Sequence, residues 1–157
     1  MRDSGLELLF KGALAFTSQA ESEAVVATDG HDGAFLGSGD GTLTGGRIHG
    51  KIRWSIWSGN CLYPAVRKGQ PVTEGMHLCT LNPGGFIETS DGARIRFEMR
   101  GYGLRYPDGH YRTGGTMAFG TEDARYAWLT KAVAVMEGDF DEKAASGTWN
   151  VYFPKVK

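Results

Sequence analysis

The chain has 157 residues, 24 of them glycine, and a formal net charge of −1. That length suits one domain over residues 1–157 with its own core, and the near-balanced charge supplies no long-range field to draw in nucleic acid or anionic lipid. No apolar run reaches bilayer-spanning length, and an acid and a lysine interrupt "MRDSGLELLFKG" where a signal segment needs an apolar stretch, so a soluble cytoplasmic protein is expected, with Cys61 and Cys79 as free thiols.

In chain order, Leu6, Leu8 and Phe10 alternate with Glu7 and Lys11, which predicts a first strand continuing toward Phe16. "EAVVATDGHDGAF" carries two turn signals. "GSGDGTLTGG" reads as turn glycine leading into a strand through Ile48, Ile52, Trp54 and Ile56. It has no strand-turn-helix context and no following Gly-Lys-Ser or Gly-Lys-Thr, which argues against a phosphate cradle. "GMHLCTLNPGGFIETSDGARIRFEMRGYG" predicts a hairpin region turning at Asp91-Gly92. "GTEDARYAWLTK" predicts a short helix near residues 121–129, capped by Thr121 with Glu122 and Asp123 in the first turn. "KAVAVMEG" and "GTWNVYFPK" predict the last two strands. Seven to nine short strands with frequent glycine fit an all-β protein, and closure into an antiparallel barrel of about eight strands removes the exposed edges.

"DGARIRFEMRGYG" poses the central question. Arg94, Arg96, Glu98 and Arg100 alternate with Ile95, Phe97 and Met99, so one face of the strand is charged and the other apolar. If the charged face meets solvent it forms surface ion pairs. If it faces a lumen, Glu98 becomes an acid-base group.

Other chemistry finds little support. His31, His49, His77 and His110 lack metal-ligand spacing, with only His31-Asp32 and His77-x-Cys79 coming near it, so no metal site is expected. Ser55, Ser58 and Ser90 lack a nucleophile elbow. What remains is arginine interleaved with rings and acids: Arg53, Trp54 and Trp57; Tyr63 and Arg67; Glu98; Tyr102, Tyr111 and Arg112; Tyr126 and Trp128. Such groups suit a cavity for a planar oxygenated molecule. The candidate catalytic residues are Glu98, Arg100, Arg53 and Tyr126; the candidate substrate-binding residues are Trp54, Arg96, Tyr102, Tyr111 and Trp128. For Tyr126 and Trp128 the competing reading is packing of the helix over a barrel end.

The runs "ETSDGARIRFEMRGYG", "HYRTGGTMAFGTEDARYAWLTKAVAVMEGDF" and "WNVYF" resemble an uncharacterised domain-of-unknown-function family whose members look like allene oxide cyclase-type, calycin-like barrels. The resemblance rests on Thr89, Asp91-Gly92-Ala93, Arg100-Gly101, Tyr111-Arg112, Phe119 and Arg125-Tyr126-Ala127-Trp128-Leu129, with "GGRIHGKIRW" upstream. It implies a closed barrel with a central cavity and a homo-oligomer. The leading functional expectation is a cofactor-independent lyase, isomerase or cyclase acting on an oxygenated, aromatic or polyketide-like small molecule, with no cofactor, nucleic acid or membrane partner. The alternative is a calycin-like binding or carrier protein without catalysis, and a third is a solid-core interaction module.

Overall fold

The computed structural model describes residues 5–20, 34–62, 77–141 and 143–155. Within them lie nine strands: β1 (Leu6–Ala20), β2 (Ala34–Thr44), β3 (Gly50–Leu62), β4 (His77–Leu81), β5 (Gly84–Thr89), β6 (Arg94–Arg105), β7 (His110–Gly120), β8 (Ala134–Asp141) and β9 (Ser146–Pro154). A 3-10 helix, Ala124–Lys131, links β7 to β8. Every pairing is antiparallel. β4 and β5 both bridge β3 to β6, one above the other, so they act as a single stave interrupted at Asn82-Pro83, where proline removes a ladder donor. The pairing of β2 with both β1 and β3 closes the ring at eight staves. The expected closed all-β barrel is therefore the observed fold.

Two hairpins show why the chain turns where it does. Between β5 and β6, Gly92 takes φ +89° and its N–H donates to the Thr89 carbonyl at 3.0 Å. Between β6 and β7, Gly109 likewise has φ +89° and donates to the Tyr106 carbonyl. Both are positions where a residue with a Cβ is strained. The helix differs from its expected start: Asp123, not Thr121, is the N-cap, its carboxylate accepting from the Arg125 N–H, while Thr121 Oγ1 accepts from the Asp123 N–H.

β6 begins and β7 ends at the end of the barrel that carries the helix; the Tyr106–Gly109 turn marks the other end. Leu129 is fully buried at the helix end, with Tyr126 and Trp128 packed beside the core formed by residues such as Ile48, Ile52, Ile87, Ile95 and Phe153. The helix thus plugs one end of the lumen. No helix among the described residues is long and apolar enough to cross a membrane.

The glycine-rich run departs from its expected role. Gly37, Gly39 and Gly41 lie inside β2, and only Gly45 and Gly46, at φ +69° and +64°, make the turn. Gly39 stands opposite both Phe16 and Trp54, and a Cβ there would run into the Trp54 ring. Glycine on the inner face is thus the space that an aromatic neighbour fills. The cysteines also depart from expectation. Cys79 is disulfide-bonded rather than a free thiol, and opposite it across the β3–β4 ladder stands Cys61, the only other cysteine of the chain.

A pair of adjacent glycines separates the two kinds of position. At Gly115 a Cβ would strike the Arg100 carbonyl and lie 2.8 Å from the Gly101 Cα, whereas at Gly114 it would meet only the Met136 carbonyl at 3.7 Å. Gly115→Ala is expected to lower unfolding stability by about 1–3 kcal/mol. Gly114→Ala should be neutral or slightly stabilising, because alanine restricts the unfolded chain. Urea unfolding of the two variants reads the difference directly.

Candidate ligand chamber

Strand alternation decides which side chains enter the barrel. On β6, Ile95, Phe97 and Met99 are buried while Arg94, Arg96, Glu98 and Arg100 are exposed, so the charged face looks outward. Glu98 accepts a 2.7 Å hydrogen bond from Arg96 Nη1, with the side chains 54% and 61% exposed respectively. The condition on which an acid-base role for Glu98 depended, an inward orientation, is not met. Arg100 shares that outer face. Arg53 also points outward, between Asp40 and Phe86 on neighbouring strands. Tyr102 is 57% exposed.

Inside, Trp54 and Tyr111 are both 5% exposed, and both line a cavity of about 80 Å³ in the half of the lumen away from the helix. A water molecule needs roughly 10–15 Å³ on the same measure, so the space is several waters in size, of the order of one small ring. The walls are mostly hydrocarbon. Leu14, Ile56, Leu81, Pro83, Met99 and Met136 supply aliphatic surface, and Trp149 a further ring. Edge-to-face contacts link four of the lining aromatics in a chain, Trp54 to Phe16 at 4.5 Å, Phe16 to Phe140 at 4.9 Å and Phe140 to Tyr111 at 5.8 Å. Rings locked edge to face hold their shape, so the collar they form is pre-organised.

Polar atoms within this wall are few. Trp54 Nε1 and Thr113 Oγ1 belong to lining residues, are buried, and have no hydrogen-bond partner among the described residues. The Thr113 hydroxyl sits over Gly138: a Cβ built there would come 3.0 Å from Oγ1 and 2.8 Å from Trp149 Cδ1. Arg105 occupies the inward register at the open end of β6, with its guanidinium 5.9 Å from the Tyr111 ring centre. Asp139 touches the rim, but it alternates with the inward Gly138, and its carboxylate pairs with His110 Nε2 at 3.2 Å and Arg112 Nε at 3.8 Å on the outer face. No group of His, Cys, Asp and Glu suited to a metal occurs among the described residues.

Thr113 and Arg105 were not among the residues singled out from sequence. The parity that places Ile95, Phe97 and Met99 together extends to Arg105, a signal that the interruption by Gly101-Tyr102-Gly103 obscures. Thr113 shares parity with Tyr111, but nothing in a lone threonine marks it. Tyr63 and Arg67 lie outside the described residues.

Tyr126 and Trp128 stand at the opposite end, where the helix is tied down. The Tyr126 hydroxyl donates to Asp91 at 3.0 Å, Arg125 Nη1 lies 3.1 Å from Asp91 Oδ2, and the Thr89 hydroxyl donates to the same carboxylate. Arg125 also pairs with Asp123 at 2.7 Å. The Thr89 hydroxyl, with Tyr126 and Arg125, holds the Asp91 carboxyl below its ordinary value, while Tyr126 is pushed up by desolvation and by its bond to Asp91. Trp128 packs edge-on against Phe153 at 5.3 Å, with the Arg47 guanidinium 3.8 Å from its ring. These residues fasten the plug to the β5–β6 hairpin.

No family model matches the chain, and no curated protein does. Its fold is shared with solved structures. A β-barrel-like protein from Acinetobacter baumannii AYE is 21% identical with a TM-score of 0.68, over 94% of this chain and 93% of that one. A conserved protein of unknown function from Rhodopseudomonas palustris is 17% identical with a TM-score of 0.68, over 94% and 95%. An enzyme from Penicillium herquei is 15% identical with a TM-score of 0.50, over 96% and 98%. These likenesses show a barrel common to proteins of unknown function and to an enzyme.

The fastening at Asp91 has an acid signature. Because its folded value is depressed, the stability it confers is complete above the ordinary carboxylate range near pH 4 and is lost as pH falls through the depressed value. Tyr126→Phe removes one donor and lets that value rise. The variant is expected to melt a few degrees lower near neutrality, and to lose less stability than the parent as pH falls from about 4 to 2, because its folded value lies closer to the unfolded one. Unfolding midpoints measured from pH 2 to 7 check both.

Proposed function

We propose that the protein takes up one small, largely apolar organic molecule in the chamber between the aromatic collar and the barrel core. The observation that carries this reading is the cavity itself. Barrel interiors of this strand number are either filled by side chains or hold one small ligand, and here the half plugged by the helix is filled while the other half is lined by aliphatic side chains and rings around open space. A solid-core interaction module is not favoured by such a space. The homo-oligomer implied by the resemblance remains part of the proposal, since the outer faces carry exposed Leu78, Phe86, Val133 and Val135.

Small-molecule binding is the part of the reading best supported by geometry. Cofactor-free lyase, isomerase or cyclase chemistry, of the kind the allene oxide cyclase-type resemblance suggests, is a second reading favoured by one observation. Tyr111 lines the chamber with Arg105 beside it, and a phenol next to a fixed cation is suited to donating a hydrogen bond to a developing enolate or phenolate oxygen. The fold neighbour described as an enzyme is compatible with that. In this form the chemistry rests on Tyr111 and Arg105 instead of Glu98.

Both readings require the chamber to be occupied. Leu81→Trp, and the milder Ile56→Phe, place extra ring volume in the cavity and are expected to abolish or weaken at least tenfold the uptake of a single-ring probe such as phenol, followed by calorimetric titration. Glu98→Gln should leave uptake unchanged. Undiminished binding in both filled variants, with cooperative unfolding retained, would remove the chamber as the site.

A further inference from the structure

We infer that Trp54 and Thr113 form a two-point polarity reader, so that the chamber selects a compact ring carrying two oxygen substituents over the corresponding hydrocarbon. The inference rests on the lumen-binding reading and assigns a ligand class and two specificity-determining residues to it. Trp54 is 95% buried by its 5% exposure, yet its indole N–H has no acceptor among the described residues. The Thr113 hydroxyl is in the same position. A buried donor without an acceptor is costly, which is why nearly all such groups in folded proteins are paired.

Water is a poor remedy at either point. An ordered buried water wants two to four polar partners, and the wall to which both residues belong is mostly the hydrocarbon of Phe16, Trp149, Met136 and similar side chains. A ligand oxygen supplies the missing partner without needing others. The chemistry of the two handles then fixes the ligand. Indole N–H only donates, so the group against Trp54 must be an acceptor; a hydroxyl both donates and accepts, so Thr113 takes either kind of partner, and an oxygen substituent, hydroxyl or carbonyl, serves at both points. The two residues stand on β3 and β7, with β6 and the β4/β5 stave between them. Two handles carried by different staves are met by two substituents, so the oxygens sit on different edges of the ring. Dihydroxybenzenes, hydroxyketones and quinones of single-ring size meet these conditions; toluene and aniline-type donors do not.

Calorimetric titration of the full chain with toluene, phenol, resorcinol and hydroquinone tests this. Affinity is expected to rise with oxygen count, by about tenfold for each satisfied handle. Thr113→Val, which keeps the shape and removes the hydroxyl, should cut the preference of the better dihydroxybenzene over toluene by about tenfold. Thr113→Ser should restore most of it, and Trp54→Phe should lower it independently. Equal affinities for toluene and both dihydroxybenzenes, or a preference unchanged in Thr113→Val, would overturn the inference while leaving the chamber reading intact. Absence of saturable binding by every compound would overturn both.

Discussion

The interior of a small barrel has a fixed volume, and every inward position must be filled by a side chain, by a neighbour reaching across it, or by nothing. In this chain glycine decides which. Where Gly39 faces inward, the indole of Trp54 lies over it, and where Gly138 faces inward, Thr113 and Trp149 converge above it. Gly101 and Gly115 do the same for backbone, bringing β6 and β7 closer than side chains would allow. Large rings therefore fit in a narrow tube because their opposite numbers are absent. Where rings and glycines no longer match, the chamber remains.

That arrangement divides the barrel along its axis. At one end isoleucine, phenylalanine and Leu129 pack to zero exposure under the helix, and the Asp91 carboxylate, holding Tyr126, Arg125 and Thr89, fixes the helix to the adjoining hairpin. At the other end the staves open around aromatic edges. The residues that carry the family resemblance fall mainly in the first half. Thr89, Asp91-Gly92 and Arg125-Tyr126 are thus explained by architecture, as the latch of a plug, and their chemistry is that of a structural ion cluster half open to water. Tyr111 is the member of that set that stands at the chamber.

Much of the fold was legible because alternation and turn chemistry are local. The period of two in "ARIRFEMR", the Asp91-Gly92 hairpin and the acid-rich start of "TEDARYAWL" each specify structure without long-range information. Orientation was not local. A strand charged on one side and apolar on the other fits a barrel either way round, and it is the other seven staves that turn Glu98 to solvent and Phe97 inward. Glycine was misread for a related reason: "GSGDG" looks like punctuation until Trp54, on the next stave, is seen to need Gly39 empty. The pairing of Cys79 and the contact of His110 with Asp139, 29 positions apart, likewise depend on which strands adjoin. Thr113 was invisible because its significance is a missing partner, and sequence does not display absences.

The chemistry open to the chamber follows from the same geometry. Carboxylates are costly to bury unpaired, and the acids of β6 and β8 are turned outward, with Glu98 and Asp139 engaged by arginine or histidine there. The lumen keeps neutral donors, Trp54 and Thr113, with the phenol of Tyr111 and the cation of Arg105 toward the open end. In a poorly solvated space a neutral donor strengthens a bond to an uncharged oxygen without demanding a counter-ion, whereas negative charge is best placed where Arg105 and solvent are near. On the proposed reading, a ligand held there would lie with its neutral oxygens deep and any acidic group toward the open end, and charge developing on it would be stabilised at the Tyr111 side, not against the aliphatic wall formed by Leu14, Met99 and Met136.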